Sequence, residues 1–144
     1  MATKLHDVDF YAWTQQQVGL LKSAHWSEVD IESLIEEIES MGASERRELI
    51  NRLAVLLAHL LKWRYQSSFR GRSWQLTLKE QRRQLQRLLN DNPSLKAKLL
   101  DFIDDAYGDA ILLAAKETGL DESVFPSDCP YEQDNILDLD FYPE

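Results

Sequence analysis

Apolar side chains along this chain recur every three or four residues, and nowhere do they alternate over the length of a strand. That spacing predicts helices and gives strands no support. Residues 8–23 place Phe10, Trp13, Gln17 and Leu20/Leu21 on one face. Ser27 and Asp30 then read as an S-x-x-D capping box, with Trp26 and Ile31 positioned as its hydrophobic staple. From there to Tyr65 one line of positions seven apart, Ile35, Gly42, Leu49, Leu56 and Trp63, runs without losing phase, with Ile31, Ile38, Leu53 and Leu60 alongside. The spacing predicts one long helix over about 28–65, bent at most at Gly42, where a glycine on the buried stripe would let another helix cross closely. At the α-helical rise it would be roughly 55 Å long.

Ser73 is the expected N-cap of a helix over 74–91, whose stripe is Trp74, Leu78, Gln81, Leu85 and Leu88/Leu89. Lys79, Arg82, Arg83, Gln86 and Arg87 fall on its polar face. Asn92-Pro93 opens a last helix over 93–118, with Asn as cap and Pro at the first position, and Gly119 stops it. Leu95, Leu99, Phe102/Ile103, Ala106/Tyr107 and Ala110 form its apolar stripe, and Asp101, Asp104, Asp105 and Asp109 lie opposite. The tail, 119–144, has Pro130 opening at most a short helix before an acidic-apolar ending. The expectation is an all-α protein, an elongated bundle of four main helices (about 8–23, 28–65, 74–91 and 93–118) in a single domain over 1–144 with an irregular C-terminal tail. A helix as long as 28–65 outlasts its partners, so part of its stripe would stay uncovered unless a second subunit or another protein covers it.

Composition narrows the function. The chain has 144 residues, 44% of them apolar and 28% charged, which is ordinary for a soluble domain. No run of apolar residues is long enough for a membrane span, and the N-terminus has no apolar signal core. Cys129 is the only cysteine, which excludes an internal disulfide and a thiolate cluster within one chain. The expected location is cytoplasmic. The net charge of −9 is unevenly placed. Residues 1–45 hold 2 basic and 9 acidic side chains, residues 46–98 hold 13 basic and 3 acidic, and residues 99–144 hold 1 basic and 13 acidic. A basic middle between acidic ends predicts internal pairing first, and a polyanion-binding surface second.

The segments DFYAWTQQQVGLL, DIESLIEEIESMG, HLLKW, the NPSL helix start and FP with CPY resemble, over nearly the whole chain, a family of largely cyanobacterial proteins, domain of unknown function DUF29. The resemblance implies a compact all-helical protein. It brings no activity and no functional residues with it.

Four readings of the chemistry compete. Arg52 and His59, at R-x6-H spacing, look similar to the R-x4-6-H pair of all-α HEPN nucleases, in which an imidazole moves a proton and a guanidinium holds phosphate. Leu53 departs from that pattern, in which a polar residue usually follows the arginine. The stretch HLLKWRYQSSFRGRSW, residues 59–74, interleaves aromatics with cations. With the helix after it, it offers Arg64, Arg70, Arg72, Arg82 and Arg83 as candidates for binding RNA or another anion. Packing alone would put Trp63 and Trp74 inside and leave only Tyr65 and Phe69 free. A metal site is not expected, because Glu36, Glu37 and Glu39 lack the E-x-x-H partners of a di-iron bundle, and no cofactor is expected. The reading preferred here is a non-enzymatic interaction or regulatory module that binds a protein partner or itself.

Overall fold

The computed structural model describes residues 4–144. It is an all-α bundle, with no strand among the described residues. In chain order the helices are α1 (Leu5–Val8), α2 (Phe10–Lys22), α3 (Ile31–Tyr65), α4 (Arg72–Asp91), α5 (Pro93–Lys96), α6 (Leu99–Thr118) and α7 (Gln133–Leu137). The chain divides into two compact units, Met1–Ser44 and Glu45–Glu144.

In the N-terminal unit, Asp9 caps α2 by accepting from the Ala12 amide at 3.0 Å. Asp30 caps α3 in the same way, accepting from the Ser33 amide at 3.2 Å. Ser27 was the expected cap, but Trp26–Glu28 close a 3-10 turn and the helix starts only at Ile31. Trp26 and Ile31 both stay exposed, so no staple forms. Polar bonds dominate the interior of this unit. The Trp13 indole donates to Asp30 at 3.1 Å, and Gln17 accepts from the Asp30 amide at 2.8 Å. Among its described residues only Trp13, Gln17, Val29 and Ser33 are buried. His6 sits edge-on to Trp13 and bonds Glu37 at 2.6 Å.

α3 passes through Gly42 without a break. One interior glycine costs about 1 kcal/mol, too little to end a 35-residue helix. No helix crosses there, contrary to the sequence expectation. Gly42 is exposed and a Cβ on it would meet nothing within 4 Å. Burial along the seven-residue line begins only at Leu49.

The C-terminal unit holds the apolar core: Leu49, Leu53, Leu56, Leu57 and Leu60 from α3, Leu78, Leu85 and Leu89 from α4, and Leu99, Ile103, Ala106 and Ala110 from α6. α4 starts at Arg72, with extended Gly71 as its N-cap in place of Ser73. The helix expected over 93–118 is two, because Lys98 leaves helical geometry at φ −110° and ψ 18°. Asn92 still precedes Pro93, but its side chain points back and donates to the Leu88 carbonyl at 2.9 Å, closing α4. Gly119 ends α6 in the left-handed region, φ 76°, with its N–H on the Ala115 carbonyl at 2.9 Å.

The tail is a strap across this core. Phe125 and Ile136 are buried in it. The Tyr107 hydroxyl donates to the Pro126 carbonyl at 2.6 Å, and the Tyr131 hydroxyl to the Leu60 carbonyl at 3.4 Å. Tyr142 lies on Trp63, with ring centres 4.7 Å apart. The strongest anchor is Arg82, only 1% exposed. Its Nε donates to the Ile136 carbonyl at 2.9 Å and its Nη2 to the Asn135 carbonyl at 3.3 Å. These oxygens belong to the last turn of α7, where helical carbonyls lack intrahelical donors and attract cations. Burial pulls the Arg82 guanidinium below its ordinary value, while Tyr142, Asp138 and Asp140 act against it. Replacing Arg82 by alanine leaves the buried Ile136 carbonyl without a donor and the part-buried Asn135 carbonyl with only the Asp138 amide, so Arg82→Ala should lower unfolding stability by about 2–4 kcal/mol in a denaturant titration. Limited proteolysis should then cut the strap before the core helices.

Candidate functional site

The cations singled out by sequence separate into internal and external sets. Arg82 and Arg70 are structural. Arg70 donates from Nε to the Trp63 carbonyl at 2.6 Å, which satisfies the end of α3, and from Nη2 to the Glu144 carbonyl at 3.2 Å. Its guanidinium also covers the Trp63 ring at 5.2 Å. Arg64 is exposed over Tyr65 at 5.5 Å. Tyr65 is not free as expected: its ring meets Phe125 edge-on. Phe69 is exposed. Arg72 and Arg83 lie on the outer side of α4 together with Lys79 and Arg87, at spacings of seven, four and four. All four are exposed, and none has a carboxylate within 4.0 Å among the described residues. With Leu76, Glu80 and Gln84, three of them line a shallow depression of about 430 Å³.

That distribution corrects the expected pairing of the basic middle with the acidic ends. Among the described residues only Arg52 with Glu48 (3.0 Å) and Lys62 with Glu117 (2.7 Å) involve its cations. The apolar stripes set the rotation of each helix. Arg72, Lys79, Arg83 and Arg87 of α4 and the exposed Asp101, Asp104, Asp105 and Asp109 of α6 are therefore left facing solvent.

Arg52 and His59 share α3, but each has its own partners. Arg52 donates to Glu48 and, at 3.4 Å, to Gln81. His59 places Nδ1 3.0 Å from the Val55 carbonyl, which makes it the protonated nitrogen of the neutral ring. The ring is edge-on to Trp74, whose other neighbour is the buried Lys62 ammonium at 4.8 Å. Burial pushes the His59 pKa down, and Lys62 adds to the effect. No group of three or more His, Cys, Asp or Glu side chains that could hold a metal occurs among the described residues. Nor is any described helix long and apolar enough to cross a membrane.

The largest departure from an ordinary globular surface lies in the N-terminal unit. Ile31, Ile35, Ile38 and Met41, at spacings of four, three and three on α3, are 57%, 51%, 64% and 66% exposed. Phe10, Tyr11, Val18, Leu21 and Trp26 of the same unit are exposed as well. Sequence reasoning anticipated an uncovered stretch of the long stripe, and this is its location. Glu32, Glu36 and Glu39 are exposed along one side of it. Isolated exposed apolar residues are normal, whereas a row of them along one helix is less common.

The described residues thus define an all-helical bundle with an uncovered apolar row. The family model for domain of unknown function DUF29 matches residues 5–142, and the chain belongs to that family. No curated protein matches the chain, and no solved structure does.

The two embedded histidines should titrate in opposite directions. Hydrogen bonds to Asp7 and Glu37 push the His6 pKa up, and burial pushes the His59 pKa down. His6 therefore adds stability below its unfolded value that is lost as pH rises through its raised folded value. His59 adds stability above its unfolded value that is lost as pH falls toward its lowered folded value. An NMR titration of the imidazole signals, assigned with His6→Gln and His59→Gln, should place His6 above about 6.5 and His59 below it.

Proposed function

We propose that this protein is a non-enzymatic interaction module, working in the cytoplasm, whose N-terminal helical hairpin docks another protein chain. The single observation that carries this reading is the row Ile31, Ile35, Ile38 and Met41, each more than half exposed. A free apolar row on an ordered helix has no folding role that would keep it there, whereas a helix-in-groove or helix-on-helix contact uses such spacing directly. The expected test result is a surface phenotype without a folding phenotype. Ile35→Glu with Ile38→Glu should leave the circular dichroism unchanged and shift stability by no more than about 0.5 kcal/mol per site. A photo-crosslinking side chain at position 38 should give one discrete adduct in cells, and adding Ile31→Glu and Ile35→Glu to that variant should abolish it. Collapse of the fold in the double Glu variant would instead make the row part of a core.

A second reading, an RNA-directed module, is favoured by one feature, the uncovered cations Arg72, Lys79, Arg83 and Arg87 along α4. Helical rise puts the last three about 6 Å apart along the axis, a ladder suited to a phosphate backbone. Arg64 is a further cation available to such a ligand, and Arg52 with His59 would be its catalytic pair. On this reading labelled single-stranded RNA binds at low salt, weakens steeply as salt rises, and is lost in Arg83→Glu/Arg87→Glu. Cleavage, if it accompanies binding, disappears in His59→Ala. No binding at low salt overturns the reading.

A further inference from the structure

We infer that the occupant of the α3 row is a cationic amphipathic helix of a different protein. The inference rests on the docking reading above and adds the chemistry of the partner. The row from Ile31 to Met41 spans about 15 Å, three helical turns, which is the reach of the apolar face of one short helix laid along it. Gly42 continues the row with open space where a Cβ would stand, so a partner backbone can approach closely at that end.

Charge then selects among possible occupants. The described part of this unit carries two lysines, Lys4 and Lys22, against eight carboxylates. Lys4 is already committed to Glu32, at 3.4 Å. Glu36 and Glu39, bordering the row, have no cation within 4.0 Å among the described residues. A second copy docked antiparallel through a twofold axis would set one acidic border against another, and in either orientation it brings no uncommitted cation of this unit but Lys22, so the like charges across the interface are unfavourable. Anionic lipid and nucleic acid are disfavoured on the same ground. A helix with Leu or Ile on one face and Lys or Arg on its flanks satisfies both the row and its border.

The test uses the full chain and synthetic helical peptides of about 18 residues, roughly 27 Å long. One carries a Leu face with Lys flanks, a second the same Leu face with Glu flanks, and a third Lys flanks with Gln in place of Leu. Fluorescence anisotropy should show binding of the first only, weakening as salt rises. Ile35→Gln/Ile38→Gln, which leaves the charge unchanged, should weaken it at least tenfold. Glu36→Gln/Glu39→Gln should weaken it about threefold or more and flatten the salt dependence. Equal binding of the Glu-flanked peptide, or binding untouched by both variants, overturns the inference. Sedimentation of the same proteins separates the two levels of the argument. A dimer lost in Ile35→Gln/Ile38→Gln would put a second copy on the row, which refutes the partner class while keeping the docking reading. No peptide binding and no self-association would remove both.

Discussion

One buried cation organises the larger unit. Arg82 lies among leucines on α4, and its charge is tolerable there because two carbonyls from the end of α7 come to meet it. Without that contact the strap would keep its aromatic packing and the bonds of Tyr107, Tyr131 and Arg70, but α7 would lose its own polar tie to the core. With it, Ile136 is held in the core and Tyr142 reaches Trp63. Arg70 serves the neighbouring junction in the same way, satisfying the end of α3 and the carbonyl of Glu144 together. Guanidinium groups thus act here as internal fasteners between helix and irregular chain, a use that suits their fixed fan of donors.

The N-terminal unit is built on a different balance. Its interior is a set of hydrogen bonds around Trp13, Gln17 and Asp30, and much of its apolar surface faces outward. A satisfied polar network fixes a single arrangement of two helices at little apolar expense. That leaves α3's isoleucines available for another use. One helical stripe consequently has two fates, buried from Leu49 onward and open before it.

Much of this was legible in the sequence. The four main helices follow from three-to-four spacing, and the overhang of the long stripe followed from counting residues against its neighbours. The helix starts were less secure, because Ser27 and Asp30, or Gly71 and Ser73, are competing caps a few residues apart. Arg82 was misplaced on the polar face although Leu78, Arg82, Leu85 and Leu89 are spaced four, three and four, which is a core stripe. Its charge outweighed its position in that reading. The partners that make its burial possible are 53 and 54 residues away, and no local pattern announces them. The charge blocks misled for a related reason: composition counts cations and carboxylates, whereas the apolar stripes decide which way they face.

The strap also has a place in time. Its anchors, Leu60, Trp63 and Arg82, leave the ribosome well before residues 125–142 that cover them. During synthesis the core of the larger unit is therefore a half-closed surface, with a guanidinium waiting among leucines for carbonyls not yet made. A chain cut short before the strap would therefore expose the leucine-lined surface that Phe125 and Ile136 cover.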